Sequence, residues 1–166
     1  PYTTLFRSGL AAWPPASLRI DGAHRLGITL GHPSKRLNCL TVLDPADSTG
    51  GVARLDREMR LYLRLGLTPT FRQSPLTPPS YVEDMDRRGW RAFDETDVMT
   101  VDLDGPWSPR PAFADVAVDE VADLAAFAVM LAGLRGQNGE ATRQTTGVLE
   151  RIAGGLKLWR LSRLGA

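Results

Sequence analysis

The sequence predicts an α+β fold in which amphipathic helices pack on a mixed β-sheet. Three features carry this prediction: a hairpin signal at Asp21-Gly22, an apolar run over residues 35–43, and helical periodicity over residues 51–65. Strand and helix patterns follow one another along the chain, as they do in proteins whose helices cover a sheet. We therefore expect residues 18–103 to form one mixed sheet.

The first strands are predicted from alternation and turn chemistry. Residues 18–30 alternate loosely between apolar and polar side chains around Asp21-Gly22, a dipeptide typical of a tight hairpin turn. Residues 35–43 (KRLNCLTVL) are rich in β-favouring side chains and predict a third, largely buried strand. Asp44 and Pro45 should end it.

Residues 51–65 predict an amphipathic helix. Apolar side chains recur at three- and four-residue steps, and charged side chains lie between them. Thr49 is the predicted N-cap, and Gly66 stands where a C-cap glycine would. The predicted buried face consists of Val52, Leu55, Met59 and Tyr62. The intervening residues have the mixed charge of a solvated helix face: Arg54, Asp56, Arg57, Glu58 and Arg60.

A second helix and three short strands complete the first unit. Residues 70–73 predict a short strand, and Pro78-Pro79-Ser80 leads into a helix over about residues 81–88 that Gly89 ends. Two further strands are predicted at residues 90–93 and 97–103.

A linker separates this unit from a second one. Residues 104–111 (DGPWSPRP) hold three prolines and one glycine, so they cannot continue a central strand. We place the first unit at residues 9–104, the linker at 105–111 and the second unit at 112–166. The second unit is predicted as a strand at 113–118, a helix opened by Asp119, a helix at 139–153 and a strand at 156–161. Its predicted buried helix faces are Val121, Leu124, Phe127 and Leu131 on one helix and Val148, Leu149 and Ile152 on the other.

We interpret both ends of the sequence as places where the natural open reading frame is interrupted. Residues 1–8 (PYTTLFRS) can be encoded by CCC TAC ACG ACG CTC TTC CGA TCT, which resembles a common sequencing adapter, so we interpret them as an artefact. The chain then stops within residues 158–166, which look like a strand opening into a turn without a polar tail. We expect the second unit to be truncated, with its apolar helix faces exposed.

Composition excludes several classes of partner. Twenty Lys plus Arg against nineteen Asp plus Glu give a net charge of +1, so no overall field attracts nucleic acid or an anionic membrane. The sequence has neither a signal peptide nor an apolar stretch long enough to cross a bilayer, which predicts a cytoplasmic location. Cys39 is the only cysteine, so an internal disulfide and a cysteine-based zinc cluster are excluded.

Short motifs within this order resemble the GNAT superfamily of N-acetyltransferases. Leu65-Gly66-Leu67, Gly89-Trp90 and Val98-Met99 stand where the carboxy-terminal half of a GNAT fold has its "GL", "GF" and "VM" steps. Residues 113–161, as strand, helix, helix and strand, resemble the start of another GNAT domain. The two units together resemble bacterial tandem-GNAT enzymes of mycothiol-synthase-like architecture. Residues 35–40 and 67–72 strengthen this match for the first unit. The resemblance implies a three-layer α/β/α mixed sheet, followed by the truncated start of a second GNAT domain.

The resemblance implies an enzyme in the intact parent protein. Such an enzyme transfers an acetyl group from acetyl-coenzyme A (acetyl-CoA) to an amine, which is a small molecule or a peptide. The present chain would be inactive, because the second unit ends before the core that performs the chemistry. A non-catalytic ligand-binding or regulatory module on a GNAT scaffold is the alternative, since a fold by itself does not determine activity.

One loop lines up with the coenzyme-binding motif of that superfamily. The motif is Gln or Arg, two residues, Gly, one residue, then Gly or Ala, and residues 48–53 (STGGVA) match it except at Ser48. The resemblance therefore makes Thr49, Gly50 and Gly51 candidate cofactor-binding residues, at a helix start that would receive the pyrophosphate. A simple cap and turn is the other interpretation. Carboxylates at Asp44 and Asp47 would repel a diphosphate.

No catalytic or metal-binding residue is predicted. The family's general-acid tyrosine, four residues before the "GF" glycine, corresponds to Met85, which cannot donate a proton. Tyr81 could substitute, although packing against the sheet is the favoured interpretation. His24 and His32 are interpreted as turn or surface histidines without metal spacing. Cys39 is interpreted as an inert core thiol.

Overall fold

The structure, a computed structural model, describes residues 7, 9–97, 116–137, 139–152 and 156–163. These residues form an α+β arrangement with two sheets, one of four strands and one of two. In chain order the elements are β1 (Ser17–Asp21), β2 (His24–Ile28), β3 (Leu40–Val42), α1 (Gly51–Arg64), β4 (Phe71–Arg72), α2 (Pro79–Arg87), β5 (Val116–Glu120), α3 (Leu124–Leu134), α4 (Glu140–Glu150) and β6 (Trp159–Arg163).

The four-stranded sheet is mixed, as predicted, and has the order β1-β2-β3-β4. The predicted hairpin is confirmed: β1 and β2 pair antiparallel, and Asp21 lies opposite His24 across the turn. β2 and β3 also pair antiparallel. β3 and β4 are parallel and joined through α1, and they pair only at Leu40 with Phe71 and at Thr41 with Arg72. The parallel pair is therefore very short.

The third strand is shorter than predicted, because the first part of residues 35–43 forms a 3-10 turn at Lys35–Leu37. Asn38 explains the difference. Its side-chain oxygen accepts the N–H of Thr29 at 2.7 Å, and its amide nitrogen donates to the carbonyl of His32 at 3.0 Å. These bonds tie the segment to the loop after β2, so that only Leu40–Val42 enter the sheet.

One hydrophobic core joins the sheet to both helices of this unit. Its buried residues come from β2, β3, α1 and α2, which places α1 and α2 on the same sheet face. Burial of each large apolar side chain contributes roughly 1.5–3 kcal/mol. Of the four side chains predicted to be buried on α1, Leu55, Met59 and Tyr62 are buried and Val52 is half-buried. The core residues are Leu26, Leu40, Val42, Leu55, Met59, Tyr62, Tyr81 and Met85.

Glycines end α1 and α2, as the sequence predicts. Gly66 has φ +70° and Gly89 has φ +74°, a left-handed conformation that favours glycine. The N–H of Leu67 bonds to the carbonyl of Tyr62, and the N–H of Trp90 bonds to that of Met85. Both helices therefore end in the hydrogen-bond pattern of a Schellman cap.

Two predictions near α2 need correction. The helix begins at Pro79, two residues earlier than predicted, because proline at the first helical position needs no hydrogen-bond partner for its nitrogen. No strand forms at 90–93, where the chain leaves the cap as an extended segment whose side chains from Arg91 onwards are exposed. Trp90 packs against the core, but residues 91–93 have no buried face that would hold them against the sheet.

The second sheet and two helices form the remaining described region. β5 and β6 pair antiparallel, and α3 packs on α4. Asp119 lies in β5 and does not open the helix as predicted. Instead, Oδ1 of Asp123 accepts the N–H groups of Ala125 and Ala126 and caps α3. β6 begins later than predicted, at Trp159.

The helix faces of this region are more covered than predicted. Val148 and Leu149 are buried, because α3 packs over them through Ala128 and Ala132. The predicted stripe on α3 is half-buried. Predictions for residues 1–6, 8, 98–115 and 153–155, which include the linker, lie outside the described residues.

Candidate functional site

The loop between β3 and α1 borders a cleft of about 340 Å³. The structure brings two of the predicted site residues, Thr49 and Gly50, into its wall. Gly51 begins α1 with φ +48° and is not part of the lining. The remaining lining residues are Asp21, Gly22, Asp47, Arg54 and Arg57.

The start of α1 depends on glycine and not on the predicted threonine cap. Gly50 occupies the N-cap position with φ +72°, and no side chain caps the helix. A Cβ on Gly50 would lie 3.2 Å from Cβ of Arg54, so close packing also favours glycine there. The carbonyl of Thr49 instead accepts a bond from the Arg54 guanidinium at 3.3 Å. The cap prediction for Thr49 is therefore wrong.

Asp47 places a carboxylate inside this cleft. Its Oδ2 accepts the N–H of Ala23 at 2.7 Å, while Oδ1 accepts the N–H of Thr49 at 3.4 Å and Nη1 of Arg54 at 3.0 Å. The hydrogen bond from Ala23, followed by those from Arg54 and Thr49, outweighs desolvation and lowers the pKa of Asp47 to about 2. The carboxylate is thus ionised across the physiological pH range.

Arg54 is the central cation of the cleft, although only 5% of it is exposed. Its guanidinium lies 3.0 Å from Asp47 and 3.3 Å from the carboxylate of Asp21, and it also bonds to the Asp21 carbonyl. Arg57, mostly exposed, lies 3.1 Å from the other Asp21 oxygen. Two arginines and two aspartates leave the lining with no net charge. The interpretation of Arg54 as part of a solvated face is wrong.

Behind the cleft lies a buried polar chain that the sequence analysis missed. His24 and Tyr81 are fully buried, and Glu58 is 4% exposed. Nδ1 of His24 lies 2.6 Å from Oε2 of Glu58, and Nε2 lies 3.3 Å from the Tyr81 hydroxyl. Nε of Arg54 lies 3.9 Å from Oε1 of Glu58 and continues the chain to the cleft. The surface interpretation of His24 is therefore wrong.

The buried series of polar contacts formed by Glu58, His24 and Tyr81 has the groups of an acid–base relay, but a substrate has no access to it. A carboxylate that orients a histidine is common in general base catalysis. Here both ring nitrogens of His24 already face protein groups, and the side chain has no exposed surface. His24 instead links β2 to α1 through Glu58 and to α2 through Tyr81. Arg54 and Glu58, four residues apart on the inner side of α1, were the available sequence signal.

Comparison with protein-family models, with curated proteins and with solved structures finds no match for this chain. Its function must therefore be argued from the geometry of its own residues.

The remaining predicted residues lie in the interior. Met85 is in the core, and Tyr81 packs on the sheet as expected. Cys39 is 5% exposed, and burial raises the pKa of its thiol, which confirms a core position for this side chain. His32 is 6% exposed, so its surface interpretation is wrong. Within the described ranges, no helix is long and apolar enough to cross a bilayer.

Proposed function

We propose that this chain is part of a GNAT-type N-acetyltransferase in which the first unit is a degenerate partner that does not bind acetyl-CoA. The parent enzyme would transfer an acetyl group from acetyl-CoA to a small-molecule or peptide amine in the cytoplasm. The proposal includes the three-layer arrangement and a second GNAT unit after the linker.

The strand order supports the scaffold. Three antiparallel strands lead into a parallel pair, β3 and β4, joined through α1. The resemblance implies a parallel pair that separates so that a pantetheine arm can bond to exposed backbone, and these strands pair at only two positions. The second region has the implied strand, helix, helix, strand order, with β5 and β6 antiparallel. We assign the chemistry to that second unit.

The proposal that the first unit does not bind acetyl-CoA rests on a single observation, the carboxylate of Asp47. A GNAT fold receives pyrophosphate at the amino terminus of this helix, where unpaired N–H groups and the dipole favour an anion. Here the ionised Asp47 lies in the same cleft and bonds to Arg54. Two like charges 4 Å apart repel by about 4 kcal/mol at an effective dielectric constant of 20. A diphosphate would have to overcome this repulsion while both arginines of the described lining are paired with aspartates.

The cleft itself favours one second candidate, a non-catalytic ligand-binding module. Its volume of about 340 Å³ is at the lower end of the range for small-molecule sites. Arg54 is held rigidly by Asp21 and Asp47, so the polar groups are preorganised. A ligand without net charge would suit this lining better than a diphosphate.

Calorimetric titration of acetyl-CoA into the full chain tests the degenerate assignment, together with thiol-release assays over a panel of amines. We expect neither binding nor turnover. Micromolar, stoichiometric binding that Gly51→Asp abolishes would overturn the assignment, because that change places a carboxylate at the start of α1. The acetyltransferase assignment is tested separately on a chain extended by any coding sequence that follows Ala166. Absence of turnover there would reject it.

A further inference from the structure

A second concavity, a groove of about 510 Å³, lies away from the cleft at α1. It is bounded by the helical residues 9–12, the loop after β2 and the end of α3. Among the residues that the structure describes, its lining contains two arginines and no carboxylate, which gives these residues a net positive charge. The lining residues are Gly9, Ala12, Trp13, Ser34, Arg36 and Arg135.

The two groove arginines have no carboxylate partner among the described residues, a property that they share with other exposed arginines of the chain. The ion pairs among the described residues involve Arg54, Arg57, Arg87, Arg88, Arg143 and Arg160. Neither Arg36 nor Arg135 lies within 4 Å of a carboxylate of a described residue, and both are exposed. Two guanidinium groups around one concavity repel each other unless an anion lies between them.

His32 is buried next to the lining residue Ser34, but it does not itself line the groove. Its Nδ1 accepts the N–H of Ser34, a lining residue, at 2.9 Å, so the neutral ring carries its proton on Nε2. Nε2 is buried and has no hydrogen-bond partner among the described residues. Burial, followed by the charges of Arg135 and Arg151, lowers the pKa of His32 and keeps the ring neutral at pH 7. Buried donors of this kind are uncommon and call for a partner.

Acidic groups near the groove are already engaged. Glu140, beside Gly31, bonds to Arg143 and Gln144. Asp94 pairs with Lys35 at 3.0 Å. The positive charge of the groove is therefore not cancelled by these neighbours.

We propose that this groove binds a phosphorylated small molecule. Arg36 and Arg135 hold the phosphate, and an apolar or aromatic portion lies against Trp13. A guanidinium matches two phosphate oxygens at once, and two of them balance a dianion. The groove volume falls in the range of small-molecule sites. This site is independent of the cleft at α1 and of acetyl transfer.

The test uses the full chain with three probes: phenyl phosphate, inorganic phosphate and phenol. Titrations followed by calorimetry and by tryptophan fluorescence should show binding of phenyl phosphate, weaker binding of inorganic phosphate and none of phenol. Arg36→Gln and Arg135→Gln should each weaken phenyl phosphate binding about tenfold. Trp13→Leu should weaken binding of phenyl phosphate but not of inorganic phosphate.

One control makes the test decisive. Arg57→Gln removes an exposed arginine from the cleft at α1 and should leave both affinities unchanged. The two groove arginines are exposed, so circular dichroism should show that both variants remain folded. Absence of phenyl phosphate binding would overturn the proposal. The proposal would also be overturned if Arg57→Gln weakened phenyl phosphate binding and the groove variants did not. This outcome does not depend on whether the chain binds acetyl-CoA.

Discussion

Oε2 of Glu58 lies 2.6 Å from Nδ1 of His24, and neither side chain has more than 4% of its surface exposed. The hydroxyl of Tyr81 lies 3.3 Å from the other ring nitrogen. One histidine on β2 thereby contacts both α1 and α2. Since buried polar groups cost stability when they lose a partner, this contact is the most sensitive polar point of the first unit.

Glu58→Ala should lower the free energy of unfolding by about 3–5 kcal/mol, the usual cost of removing one member of a buried pair. His24 would keep its burial and lose its acceptor. Urea denaturation at pH 7 measures the change. Glu83, exposed on α2, supplies the matched control, and Glu83→Ala should change stability by no more than about 0.5 kcal/mol. Equal effects of the two substitutions would show that the buried pair does not form.

Asp47 should make the stability of the chain depend on acid pH. The hydrogen bond from Ala23 is the largest cause that lowers its pKa in the folded chain to about 2, below the ordinary value of 3.8. A lowered folded pKa contributes stability above the unfolded pKa, and that contribution is lost as pH falls through the folded pKa. The loss should therefore occur between about pH 5 and pH 2.

Urea denaturation of Asp47→Asn across this pH range checks the assignment. The variant should be less stable than the original chain at pH 7, and the difference should vanish near pH 2. Asp86→Asn, at an exposed position on α2, is the control and should leave the pH dependence in place. A constant difference at all pH values would mean that the charge of Asp47 is unimportant.

Gly89 and Gly133 should respond in opposite directions to alanine. Gly89 has φ +74° and open space around it, so Gly89→Ala should cost about 1–2 kcal/mol through backbone strain alone. Gly133 lies inside α3 without a positive φ and also has open space. Gly133→Ala should stabilise the chain by about 0.4–1 kcal/mol. Thermal unfolding of the two variants measures both signs, and stabilisation by Gly89→Ala would contradict the helix end described above.

Asn38→Ala should destabilise the chain by about 2–4 kcal/mol. The change leaves the N–H of Thr29 and the carbonyl of His32 without their partner in a buried position. Lys35→Ala is the nearby control: its ion pair with Asp94 is exposed on both sides and should contribute at most about 1 kcal/mol. A smaller loss for Asn38→Ala than for Lys35→Ala, measured by urea denaturation, would reject this explanation of the short third strand.

Local chemistry made part of this fold predictable from the sequence. Asp21-Gly22 marked the hairpin, the spacing of Leu55, Met59 and Tyr62 marked the buried face of α1, and Gly66 marked its end. Each signal depends on residues within one or two turns of one another, so no knowledge of distant neighbours was needed. The resemblance to the GNAT motif, and not local chemistry, made the loop before α1 a candidate site, and the structure places Thr49 and Gly50 in a cleft there.

Tertiary contacts decided what local patterns could not. Residues 35–37 begin a run that was predicted as a strand, yet the bonds of Asn38 to Thr29 and His32 hold them out of the sheet. Residues 90–93 were predicted as a strand, yet only Trp90 packs against the core, and residues 91–93 are exposed. Both cases show that strand formation depends on a neighbouring surface more than on composition.

The candidate sites depended most on the tertiary structure. The sequence by itself determined that Glu58 and Arg54 lie one helical turn apart, but their burial follows from His24 and Asp47, which reach them from other elements. Arg36 and Arg135 meet at one groove only after the chain has folded. Charged side chains are placed by partners distant in sequence, because burial is stable only where such partners neutralise or hydrogen-bond them.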